Sequence, residues 1–106
     1  MMNKIEYLMT VLSEECAEVA ELCSKVNRFG IDNIAPDETL SNRKRLINEL
    51  NDIYGVVALL MEEQILPEKC INGALVQTKK KKVDSYYKEY KKEEEEWSGG
   101  IISRSF

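Results

Sequence analysis

Ile5, Leu8, Leu12, Val19, Leu22, Val26 and Phe29 recur at a spacing near three and a half residues. That period predicts a helix from about Asn3 to Phe29. Gly30 supplies its stop, with Arg28 in the last turn. A linker, "GIDNIAP" (residues 30–36), follows. Asp37 and Glu38 suit the positive end of a second helix, which carries Leu46, Ile47, Leu50, Ile53, Tyr54, Val57 and Met61 and runs to about Ile65. Gly55 inside it costs helix propensity, and close packing against a neighbour is the expected reason. "LPEK" (66–69) marks a break, and Pro67 suits the first position of a third segment reaching about Trp97. Asn72-Gly73 reads as a kink or a split in that segment. Val83, Tyr86, Tyr87, Tyr90 and Trp97 lie in its charged second half. Lysines lead there and glutamates trail, the reverse of what the helix dipole prefers.

These elements predict an all-α fold, a bundle of three to four helices per chain. A chain of 106 residues is one domain by length. Residues 1–97 form it in this reading, and 98–106, "SGGIISRSF", are a flexible tail able to dock Ile101, Ile102 or Phe106 on a partner subunit. The second helix is apolar on more faces than one neighbour needs, and a domain this small buries little of its surface. A homodimer or homotetramer is therefore expected to complete the bundle.

Composition narrows the chemistry. There is no histidine, which removes imidazole acid–base catalysis and His-based metal sites. Three cysteines without a CxxC pair argue against a disulfide framework or a cysteine zinc site. Cys16 and Cys23, seven apart on one helix face, read as small core residues. A net charge of −4 disfavours a nucleic-acid coat. No stretch reaches membrane-spanning length, and no signal-peptide core follows the N-terminus, so a reduced cytoplasm is the expected location.

One position breaks the apolar seam of the first helix. Glu15 stands between Leu8 and Leu22, where leucine belongs, and an unpaired carboxylate is costly to bury. Glu15 and Glu18 are three apart and share a face, as do Glu49 and Asp52 on the second helix. The spacing alone carries little weight, because Glu18 with Glu21 and Glu93 with Glu96 match it too. Position carries more: both pairs lie on rows that are otherwise apolar. A hard divalent cation held by carboxylates from two facing helices would offset their repulsion.

"EECAE" (14–18) followed by "NELND" (48–52) resembles the paired ExxE and ExxD motifs of the all-α nucleoside triphosphate pyrophosphohydrolases, the MazG-like superfamily. "KVNRFG" (25–30) is similar to the stretch after the first motif in small, often phage-encoded members. The resemblance spans about residues 5 to 90. Asn48 replaces a more usual acid, and Asn51 takes a slot often held by glycine; neither is a ligand position.

The resemblance implies hydrolysis of a (d)NTP between the α and β phosphates, giving monophosphate and pyrophosphate and clearing nucleotides from the pool. It implies Mg²⁺, with Mn²⁺ as a substitute, on Glu15, Glu18, Glu49 and Asp52. Such chemistry needs charge neutralisation and alignment more than a side-chain nucleophile. Glu14 is a candidate water-orienting acid, with a solvated glutamate as its plain reading. Lys25, Arg28, Lys79 and Lys82 are candidate phosphate contacts; their plain readings are a pair with Glu21, a helix cap and a solvated lysine face. Asn27, Phe29 and Tyr54 are candidates for meeting the base. For a phage-encoded chain the location would be the host cytoplasm. The rival is a non-enzymatic helical interaction module, an adaptor or antitoxin-like dimer, in which Glu15 forms a salt bridge with Lys44 or Arg45; a catalytically degenerate family member is the other alternative.

Overall fold

The structure, a computed structural model, describes residues 1–98. It contains three α-helices, α1 (Lys4–Phe29), α2 (Asn42–Glu62) and α3 (Gly73–Ser98), and no strand among the described residues. The all-α expectation is met. Most of the expected tail, residues 99–106 with Ile101, Ile102 and Phe106, lies outside the described residues. The chain divides into two compact units, Met1–Glu68 and a second beginning at Lys69.

In the first unit α1 and α2 pair. Asn3 caps α1: its Oδ1 accepts from the Glu6 backbone N–H at 2.8 Å, while Glu6 Oε1 accepts from Asn3 Nδ2 at 2.7 Å. This reciprocal exchange satisfies a donor that the first helical turn leaves open. At the far end Gly30 has φ 103° and its N–H donates to Val26 O at 2.8 Å. Glycine tolerates that left-handed φ without a Cβ penalty.

α2 begins at Asn42, later than Asp37 and Glu38 suggested. Ser41 is its cap, accepting from the Lys44 N–H at 3.2 Å. The side chain of Ser41 supplies what the dipole preference of Asp37 and Glu38 alone cannot, a hydrogen-bond acceptor for the first turn. Asn42 is buried, with 2% exposure. Its Nδ2 donates to Gly30 O at 2.9 Å and its backbone N–H to Asn33 O at 2.9 Å, so one side chain ties the end of α1 to the start of α2.

α2 ends through a left-handed residue. Gln64 has φ 58°; its N–H donates to Met61 O and the Ile65 N–H to Leu60 O. This is the Schellman pattern, with glutamine where glycine is usual. The turn returns Ile65 and Leu66 onto the core of Leu8, Val56 and Leu60, which Val11 and Leu12 also meet. Because Leu8 near the start of α1 meets Leu60 near the end of α2, the helices run antiparallel.

Two expectations are corrected here. Cys16 and Cys23 are exposed, because the face of α1 that meets α2 is centred on Leu8 and Leu22 and turns them outward. A methyl group at Gly55 would meet nothing within 4 Å, so close packing within this chain does not explain it. The hairpin also exposes Ile5, Tyr7, Ile47, Leu50, Tyr54 and Leu59. α3 begins at Gly73, not at Pro67: Asn72 Oδ1 accepts from the Leu75 N–H at 3.0 Å, which makes Asn72 a cap.

Candidate functional site

Pairing α1 with α2 brings three of the sequence-predicted acids together. Glu15, Glu18 and Glu49 each offer a carboxylate oxygen, and the three atoms lie within 4.8 Å of one another. Glu15 and Glu49 are partly buried and Glu18 is exposed. Oε2 of Glu15 and Oε2 of Glu49 are buried and accept no hydrogen bond. Like charges at that separation repel by about 3 kcal/mol at an effective dielectric near 20, before solvent screening reduces it.

The protein answers part of that repulsion with a proton. The Glu49 carboxyl is pushed up to about 7, first by the Glu18 carboxyl group beside it, then by burial, with Glu15 adding in the same direction. At neutral pH Glu49 is thus poised between its two forms. A multivalent cation would compete with that proton.

A small cleft of about 230 Å³ adjoins the acids, lined by Glu18, Glu21, Leu22, Lys25, Arg45 and Glu49. Lys25 Nζ pairs with Glu21 at 3.4 Å and stands at the cleft. The sequence named Arg45 only as the rival reading's salt-bridge partner for Glu15, not as part of a cleft. It lies one turn before Glu49 on the same face of α2, and that spacing was the available signal. Its Nη2 reaches Glu38 at 3.7 Å, while Nη1 is buried with no hydrogen-bond partner. Arg45 therefore pairs with Glu38, and no ion pair joins it or Lys44 to Glu15 among the described residues.

The remaining candidates fall elsewhere. Asp52, three residues beyond Glu49, is exposed and contributes no oxygen to the cluster. Glu14 is exposed. The guanidinium of Arg28 lies 5.2 Å from the centroid of the Phe29 ring, and Phe29, Tyr54 and Asn27 are exposed. Lys79 and Lys82 belong to α3, in the second unit; Lys82 Nζ is 5.9 Å from the Tyr86 ring.

The donor set fits a hard cation. It is all oxygen and anionic, with two buried oxygens unsatisfied. Two oxygens on one Mg²⁺ or Ca²⁺ stand at most about 4–5 Å apart, twice the bond length, which is the size of the cluster. Comparison with protein-family models, curated proteins and solved structures found no match. Among the described residues, no helix is long and apolar enough to cross a membrane.

Proposed function

We propose that this chain is a Mg²⁺-dependent nucleoside triphosphate pyrophosphohydrolase of the MazG-like kind, acting in the cytoplasm as a homo-oligomer. The observation that carries the reading is the convergence of Glu15, Glu18 and Glu49 from two helices, with two carboxylate oxygens buried and unsatisfied. A purely structural core would place apolar groups there.

In this reading Glu15, Glu18 and Glu49 hold the cation, with Asp52 reaching in from the next turn of α2. Bound there, the ion would offset phosphate charge and make water a better nucleophile. Lys25 and the unsatisfied Nη1 of Arg45 offer N–H donors at the cleft, where phosphate oxygens would lie. Glu14 serves to orient water, and Arg28 is a further phosphate contact. Water adds to one phosphorus of the α–β anhydride, that P–O bond breaks, and monophosphate and pyrophosphate leave.

The cleft is smaller than the roughly 300–1,000 Å³ that encloses a small molecule. It suits the phosphate end of a nucleotide and leaves the nucleoside to be covered by another surface. A second copy would provide one, and Ile47, Leu50, Tyr54 and Leu59 on α2 are exposed apolar groups for it to meet.

The test is a panel of common NTPs and dNTPs incubated with pure protein and Mg²⁺, with products resolved by ion exchange. Monophosphate and pyrophosphate, abolished by EDTA and by Glu49→Gln, are expected. No product from any nucleotide would leave the non-enzymatic helical module standing instead.

A further inference from the structure

The apolar groups of α3 follow a symmetric order. Val76, Val83, Tyr90 and Trp97 repeat every seven residues, and Tyr86 and Tyr87 sit midway along that row. With about 100° per residue, Val76, Val83, Tyr87 and Tyr90 fall within one narrow face, with Tyr86 and Trp97 on one flank. All six side chains are exposed, between 40% and 64%. Lys79 and Lys80 come before the centre of that row and Glu93 and Glu94 after it, with Glu94 on the face, Lys79 and Lys80 at its edges and Glu93 farther round. Lys79, Lys80 and Glu94 occupy slots that an apolar seam would fill, and the order of all four opposes the helix dipole. Within the helix Lys88 pairs with Asp84 at 3.2 Å and Lys91 with Glu94 at 3.4 Å; neither pair involves Lys79 or Lys80.

We infer that α3 is a self-association surface, and that its occupant is α3 of a second copy of this chain running antiparallel. The point between Tyr86 and Tyr87 is the centre of the pattern. Two helices related by a two-fold axis there set Val83 level with Tyr90 of the second copy, and Val76 level with its Trp97. Lys79 comes level with Glu94 of the second copy and Lys80 with its Glu93, twice over by symmetry. Opposite charges thus meet at both ends of the seam, while a parallel pair would set lysine against lysine and glutamate against glutamate. An apolar groove lined by Lys79, Lys80, Val83, Asp84 and Tyr87 lies where the Tyr90 ring of the second copy arrives. The lysine-first order, which weakens the isolated helix, is what makes the pair self-complementary.

This inference rests on the self-association proposed above and gives it a surface on α3 besides the exposed apolar groups of α2; it makes no use of the nucleotide chemistry. The test is sedimentation equilibrium of the full chain and three variants, with circular dichroism to check helix content. Native protein is expected to be at least dimeric. Lys79→Glu with Lys80→Glu should weaken self-association by roughly tenfold to a hundredfold, as should Glu93→Lys with Glu94→Lys, since each turns attractive pairs repulsive. A chain with all four reversals keeps the native net charge and restores the pairing, so it should associate like the native protein. A monomeric native chain would overturn both the oligomer and this surface. A native dimer indifferent to the reversals, or a four-fold variant that stays weakened, would overturn this surface alone.

Discussion

Glu49 on α2 and Glu18 on α1 bring carboxylate oxygens within 4.8 Å of each other, and the closeness of Glu18 is the main reason the Glu49 carboxyl is pushed up to about 7. A side chain that ordinarily ionises near 4.5 is thus held partly protonated at neutral pH by an acid on the facing helix. Stability, metal binding and catalysis should all respond to that one relationship.

Stability without metal should fall as pH rises. The folded form keeps a proton on Glu49 that the unfolded chain has lost, over the window from about 4.5 to about 7. Folding then binds protons, so the contribution of Glu49 is full below 4.5 and lost as pH climbs through 7. In EDTA, thermal melts should give a higher Tm at pH 5 than at pH 8. Glu49→Gln, which stays neutral, should reduce that slope and melt above the native protein at pH 8. A native Tm that rises from pH 5 to 8 would contradict this.

Metal should reverse the trend. Cation binding needs the ionised carboxylates, so it displaces the proton on Glu49 and strengthens with pH. A cation at a hundred times its Kd adds about 2.7 kcal/mol to stability. The rise in Tm on adding Mg²⁺ should therefore be larger at pH 8 than at pH 6, and should be lost in Glu15→Gln and Glu49→Gln. Equal rises in all three proteins would place the ion elsewhere.

Asp52 separates metal binding from folding. Its side chain is exposed and outside the three-oxygen cluster, so Asp52→Asn should leave metal-free stability within about 0.5 kcal/mol of native. It should still lower hydrolysis and raise the metal concentration needed for half-maximal rate. Unchanged metal dependence would remove Asp52 from the ligand set.

The turns that hold the acids opposite each other are testable through stability alone. Asn42→Ala breaks the bond from Nδ2 to Gly30 O and leaves that carbonyl only the 3.3 Å bond from the Asn33 N–H, at a cost of about 1 kcal/mol by chemical denaturation. Gln64→Gly relieves a left-handed residue and should add about 0.5–1 kcal/mol, the strain removed less the extra entropy glycine loses on folding.

The seam acids were legible in the sequence because Glu15 interrupts a regular apolar period. One helical turn fixes which side chains share a face, so Glu18 could be read with Glu15 and Asp52 with Glu49. Helix starts were less legible. Acids after Pro36 resembled an N-terminus, whereas the hydroxyl of Ser41 and the amide of Asn72 decide where α2 and α3 begin. The exposure of Cys16 and Cys23 was hidden because a heptad offset places two residues on one face without saying which face meets α2. The place of Arg45 at the cleft was hidden for a related reason: its buried, unsatisfied Nη1 depends on the contact between helices, which no local pattern records.

The most direct test of the central claim is calorimetric titration of the metal-free chain with Mg²⁺ and Mn²⁺ at pH 7.5 or thereabouts, beside Glu15→Gln and Glu49→Gln. Saturable binding by the native chain is expected, with protons released as the ion displaces them from Glu49, and at least tenfold weaker binding by both variants. No binding by a folded native chain, or binding that both variants retain, would contradict it: Glu15 would then sit in the seam for some reason other than a cation.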